Sequence, residues 1–168
     1  GSSGLPFHSN TNFNRIFEIL LTDTHVKRVI ISAYWVENLR TYPAREWQEQ
    51  LAQTIKSLTI SGKKVYLVDD VPGFSFIPSR CKYVGRFGSS NLCVEADQHA
   101  SSTYIPAFQS LARTNPDVSI IQIYPLFCGH EQCAMALDGQ LFYRDYNHLN
   151  VSGSNFVSSS IVAQMEGK

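Results

Sequence analysis

With 168 residues, 43% hydrophobic and 12% aromatic, the chain has enough apolar material for one ordinary core and too little for two, so residues 1–168 are expected to form a single domain. Lys plus Arg and Asp plus Glu both number 14, and a chain so balanced has no global field to draw it to nucleic acid or anionic lipid. The longest apolar runs, such as Val29-Ile30-Ile31, fall far short of a bilayer span.

Apolar clusters alternate with helical patterns, as an α/β layer fold requires. Gly1-Ser2-Ser3-Gly4 carries no targeting information. Val26 to Tyr34 reads as a strand buried on both faces, because Val26, Val29, Ile30 and Ile31 are β-branched and nearly continuous, which implies a parallel sheet. From Arg45 to Ser61, Trp47, Leu51, Ile55 and Leu58 share one helix face, and Gly62 ends the helix. Lys64 to Asp69 is a second strand, and strand, helix, strand with short connections is a right-handed crossover. Pro72 to Asn91, rich in glycine and proline, is expected to be irregular. A helix follows over Ser102 to Arg113 with Pro106 in its first turn, then a strand over Val118 to Tyr124 that Pro125 ends. The last helix runs from about Ser152 to Gln164, with Phe156, Ile161 and Val162 on its apolar side.

The four cysteines form two local pairs, Cys81 with Cys93 and Cys128 with Cys133. Two disulfides would imply an oxidising compartment such as a periplasm. The alternative is a zinc site, since His130 lies between Cys128 and Cys133, but it needs the distant Cys81 and Cys93 to converge on one point.

Chemistry is concentrated in Tyr143-Arg144-Asp145-Tyr146-Asn147-His148-Leu149-Asn150, between the last strand and the last helix. A carboxylate three residues before a histidine can fold back to accept from the ring Nδ1, fixing the tautomer that leaves Nε2 as a base. It also stabilises the imidazolium formed when the base takes a proton. From spacing alone, an ordinary hydrogen-bonded surface turn is the default for such a pair.

That block, followed by Ser152-Gly153 and a helix, resembles the last block of SGNH hydrolases. It is most similar to the SGNH domains fused to integral-membrane acyltransferases that acetylate bacterial surface polysaccharides. Ser32-Ala33-Tyr34-Trp35, Asp69-Asp70-Val71-Pro72 after a strand, and the cysteine pair before the Asp-x-x-His block fit the same subgroup, so the resemblance extends from about Phe13 onward. It implies a three-layer α/β sandwich with a mainly parallel sheet, lacking the first strand, with Asp145 and His148 as the acid and base partners of a serine triad. No cofactor and no metal are implied. Ligands on such sheets bind at the carboxyl ends of the strands, where loops after Tyr34, Asp69 and Tyr124 would converge with the Asp145 to His148 turn.

The sequence departs from the family pattern twice. The family nucleophile sits in Gly-Asp-Ser, which occurs nowhere here; by family order that block precedes Gly1, so this chain alone is expected to be inactive. Where many members carry an oxyanion-binding Gly-x-Asn-Asp, Ala33-Tyr34-Trp35-Val36 stands instead. That leaves Tyr34 and Trp35 as candidate substrate or oxyanion residues, with burial of Trp35 the competing reading. Ser2, Ser3, Ser89 and Ser90 read as loop serines, and His8, His25, His99 and His130 as surface or capping histidines.

The function implied is O-acetyl transfer to a cell-envelope polysaccharide through a serine acyl-enzyme, in a periplasmic domain of a bacterial inner-membrane protein. Its partners would be an upstream membrane acyltransferase domain, an acyl donor and a sugar acceptor. The alternatives are a carbohydrate esterase or an inactive carbohydrate-binding domain.

Overall fold

The computed structural model describes residues 11–81, 93–98, 100–129 and 131–167. Contacts divide the chain into two compact units: residues 1–68 with 102–120, and residues 69–101 with 121–168.

The first unit contains α1 (Thr11–Thr22), β1 (Arg28–Ile31), α2 (Trp35–Thr41), α3 (Ala44–Ile60), β2 (Lys64–Val68) and α4 (Ile105–Thr114), and holds most of β4 (Val118–Ile121). β2 lies between β1 and β4, and β1 runs parallel to it in a register that pairs Val29 with Val65 and Ile31 with Leu67. α3 forms where the sequence expects it. Trp47, Leu51, Thr54, Ile55 and Leu58 bury one face, while the exposed face carries an Arg45–Glu49 pair four residues apart at 2.9 Å. The helix stops at Ser61 because Gly62 adopts a φ of 79°, a conformation that costs glycine little and other residues more.

The core of this unit is aromatic. Trp35 meets Trp47 edge-on at 5.9 Å and Phe108 at 5.0 Å between ring centres, with Val65, Leu67 and Tyr104 completing the cluster. Rings in such T-shaped contact add about 0.5–1.5 kcal/mol to their burial.

Two expectations are corrected. The strand expected over Val26 to Tyr34 is only Arg28–Ile31, and it is not buried on both faces, since Ile30 is 49% exposed. β1 stands at an edge of the sheet, so among the described residues its outer side has neither a strand partner nor full cover. Its expected end, Ser32 to Tyr34, is irregular and leads into α2, which the sequence reading missed.

The second unit contains β3 (Val94–Ala96), β5 (Cys128–Gly129), β6 (Gln132–Ala134), β7 (Ala136–Leu137), β8 (Gln140–Leu141) and α5 (Val151–Met165). β6 pairs antiparallel with β3 on one side and β5 on the other. β7 and β8 form a hairpin whose two loop residues, Asp138 and Gly139, have φ of 50° and 76°. That is the Asp-Gly signature of a tight hairpin turn. Cys81–Cys93 and Cys128–Cys133 are both disulfides, as expected, with Cα separations of 5.1 and 4.0 Å. Phe127, Phe142, Tyr143 and Phe156 pack as a ring cluster, with Phe142 stacked on Phe156 at 4.6 Å.

The apolar face of α5 differs from the expected one. Gly153 and Val157 are its buried residues, whereas Val162 is 52% exposed. The strand expected to reach Tyr124 stops at Ile121, and Pro125 sits inside a 3-10 turn over Tyr124–Leu126.

Candidate active site

In the second unit, the segment after β8 makes a narrow turn. Tyr143 bridges to Leu149, and the Arg144 N–H donates to the His148 carbonyl at 2.9 Å. Within the turn, Oδ1 of Asp145 accepts from the backbone N–H of Asn147 at 3.1 Å and of His148 at 2.7 Å. Both oxygens of Asp145 lie 3.0 Å from His148 Nδ1. A carboxylate only accepts, so Nδ1 carries the proton and Nε2 has the free lone pair. The His148 side chain is 57% exposed, so the lone pair is within reach of a reacting group.

Burial works to raise the Asp145 carboxyl, but hydrogen bonds from the Asn147 and His148 amides and from the His148 ring outweigh it and hold the group below the ordinary carboxylate range. Asp145 is therefore ionised at neutral pH. It can orient the ring and stabilise the charge that forms on it. The Arg144 guanidinium lies 3.5 Å from its other oxygen.

An Asp–His contact is not by itself a catalytic signature. In the first unit His25 Nδ1 lies 3.1 Å from Asp23, on a side chain 96% exposed. Asp23 is also tied down, its carbonyl accepting from Lys63 Nζ at 2.6 Å; the Asp145–His148 turn differs in the loop that braces it. The Phe74 N–H donates to the Tyr146 carbonyl at 2.8 Å, and the buried Tyr143 hydroxyl donates to the Pro72 carbonyl at 3.1 Å, so the loop after Asp69 braces the turn. That loop is itself anchored, because buried Asp69 accepts from the Ile123 and Tyr124 amides at 2.6 and 3.1 Å. Burial pushes the Asp69 carboxyl up to about 6 against the pull of those amides. An open hollow of about 460 Å³, lined by Arg144, Leu149, Asn150, Val151, Ser154 and Asn155, borders the turn.

Of the remaining candidates, Tyr34 and Trp35 belong to the first unit. Tyr34 is exposed at the start of α2. Trp35 lies wholly in the core of the first unit, its indole N–H donating to the Val68 carbonyl at 2.8 Å. As an oxyanion donor it is therefore a correction: the ring is enclosed and its one N–H is committed to the backbone. Ser2, Ser3, Ser89, Ser90, His8, His99 and His130 lie outside the described residues. Asp97 approaches the sulfurs of Cys128 and Cys133, but these form a disulfide and offer no thiolate to a metal. The sequence reading missed Asn150, Tyr143 and the Asp69 anchor; the position of Asn150 just before a helix was the available signal for a cap.

A family model described as "SGNH domain (fused to AT3 domains)" matches residues 3–163. The chain belongs to the SGNH domain family. The match runs through both units and includes the Asp145–His148 turn. Among solved structures, the periplasmic domain of a lipopolysaccharide acetyltransferase from Salmonella ser. Paratyphi A aligns with a TM-score of 0.62 at 17% identity, over 92% of this chain and 61% of that one. A GDSL-like lipase from Bacteroides thetaiotaomicron aligns with a TM-score of 0.53 at 13% identity, over 99% of this chain and 73% of that one. The SGNH chain thus spans about three fifths of the acetyltransferase domain it resembles, and at these identities the likeness establishes a shared α/β fold with a parallel sheet. No curated protein sequence matches it. The family description itself names fusion to AT3 domains. No helix among the described residues is long and apolar enough to cross a membrane.

Proposed function

We propose that this SGNH domain contributes the base and its orienting carboxylate to O-acetyl transfer onto a cell-envelope polysaccharide, in the periplasm, with the acetyl group delivered by an attached membrane acyltransferase domain. The observation that carries the proposal is the hydrogen bond between Asp145 and Nδ1 of an exposed His148 on a braced turn that the family match includes. Both units are taken to act as one domain, which the extent of the family match supports.

A serine from outside this sequence attacks the acetyl carbonyl while His148 Nε2 takes its proton; the proton then leaves with the donor's departing group. A sugar hydroxyl next attacks the acyl-serine and gives its proton to Nε2, which returns it to the departing serine oxygen. Asp145 keeps the ring in the Nδ1–H tautomer and offsets its positive charge in both halves. The chain alone is then inactive towards esters. The same groups serve hydrolysis if water replaces the sugar, a reading that the likeness to a GDSL-like lipase favours.

The test is acetyl transfer by the parent protein to polysaccharide, against acetate release without it, in wild type and His148→Ala. Transfer that depends on His148 supports the proposal. Acetate release that polysaccharide does not suppress makes the domain an esterase, and turnover unaffected by His148→Ala removes the base assignment.

A further inference from the structure

One side chain ties together the two ends of the segment that carries Asp145 and His148. Asn150 is the N-cap of α5, its Oδ1 accepting from the Gly153 amide at 2.9 Å. Its Nδ2 donates to the carbonyls of Leu141 at 2.9 Å and Tyr143 at 3.4 Å, and its backbone N–H donates to the Phe142 carbonyl at 2.8 Å. These bonds join the strand entering the turn to the helix leaving it. Helix capping alone does not account for the residue: serine or aspartate caps as well. Only an amide accepts from one N–H and also donates to two carbonyls from the same short side chain.

We propose that Asn150 is a positioning residue for the Asp145–His148 pair. It closes the mouth of the turn so that carboxylate and ring meet, and acts on the reaction through them without touching substrate. Its catalytic consequence rests on the reading of His148 as a base; its geometric consequence does not.

Asn150→Ser separates the two jobs, because the hydroxyl still caps Gly153 while both donated bonds are lost. Side-chain NMR of the chain reads the outcome. In wild type the His148 ring should hold the Nδ1–H tautomer and Asp145 should titrate below the ordinary range. In Asn150→Ser the ring should become a tautomer mixture and the Asp145 titration should move up, while Ser154→Ala, at the next helical position on from Gly153, changes neither. In the parent protein, assayed well below melting, Asn150→Ser should lower kcat about tenfold or more with KM little changed, the pattern of lost alignment rather than lost binding.

A folded Asn150→Ser chain with wild-type ring and carboxyl signals overturns the proposal, as does an equal effect from Ser154→Ala. Should Asn150→Ser fail to fold, hydrogen exchange of the wild-type chain decides. The Arg144 and His148 amides should open together with that of Gly153, and exchange about a hundredfold faster than Gly153 would mean that the turn is not clamped. If His148→Ala leaves turnover intact, the base assignment falls while the NMR result still judges Asn150.

Discussion

The carboxylate of Asp145 touches Nδ1 of His148 with both oxygens at 3.0 Å, and one of those oxygens also holds the backbone amides of Asn147 and His148. Removing the charge is therefore different from removing the contact. Asp145→Asn retains a carbonyl acceptor, but its amide group can donate to the ring and select the unproductive tautomer. Turnover by the parent protein should fall by about 10²–10⁴ for Asp145→Asn and by about 10³ or more for His148→Ala. The double variant should be little worse than the poorer single one, because groups that act as a unit are not additive. Multiplying losses would show that the two side chains act independently.

Asp69 should make stability depend on pH in the sense opposite to a salt-bridged carboxylate. Its carboxyl is raised from 3.8 to about 6 in the folded chain. Between those values the folded state holds a proton that the unfolded state has lost, so stability falls as pH rises through that window. At neutral pH the penalty is complete, and at about 1.4 kcal/mol per pH unit it is no more than about 3 kcal/mol. Asp69→Asn keeps an acceptor for the Ile123 and Tyr124 amides and removes the titration. Denaturant melts at pH 4 and pH 7 should show the variant gaining on wild type at the higher pH, and a pH-independent difference would contradict this.

Gly153→Ala sets local propensity against packing. In a helix interior alanine is favoured over glycine by about 0.5–1 kcal/mol. At Gly153, however, a Cβ would run into the Phe142 carbonyl, which is backbone and cannot swing aside. The clash should win, costing about 2 kcal/mol or more in urea melts. Phe142 also accepts from the Asn150 N–H, so the same substitution should disturb Asp145 and His148. A stabilised variant would show that the start of α5 is not packed as described.

The two disulfides should contribute unequally. Cys81–Cys93 spans 12 residues and Cys128–Cys133 spans 5, and closing these loops in the unfolded chain is worth about 3 and about 2 kcal/mol respectively. Paired Cys→Ser variants, melted with and without reductant, should lose stability in that order. Equal melts in the presence of reductant would attribute the difference to the bridges themselves.

Some of this protein was legible one residue at a time, because periodicity and chain-local spacing are properties of the sequence. α3 shows its four-residue spacing of Trp47, Leu51 and Ile55, the cysteine pairs are close neighbours, and Asp145 and His148 are near enough to meet within one turn. Non-local burial was not legible. Nothing local marks β1 as a sheet edge with Ile30 half in solvent, or reveals that Trp35 turns into the core and gives its only N–H to Val68. β3, β5 and β6 are too short to show a period and exist because they pair with one another. The Asp145–His148 contact is written within four residues. Its bracing by Pro72, Phe74 and the Asp69 anchor spans some 70 positions of chain, and only tertiary folding brings those partners to hydrogen-bonding distance.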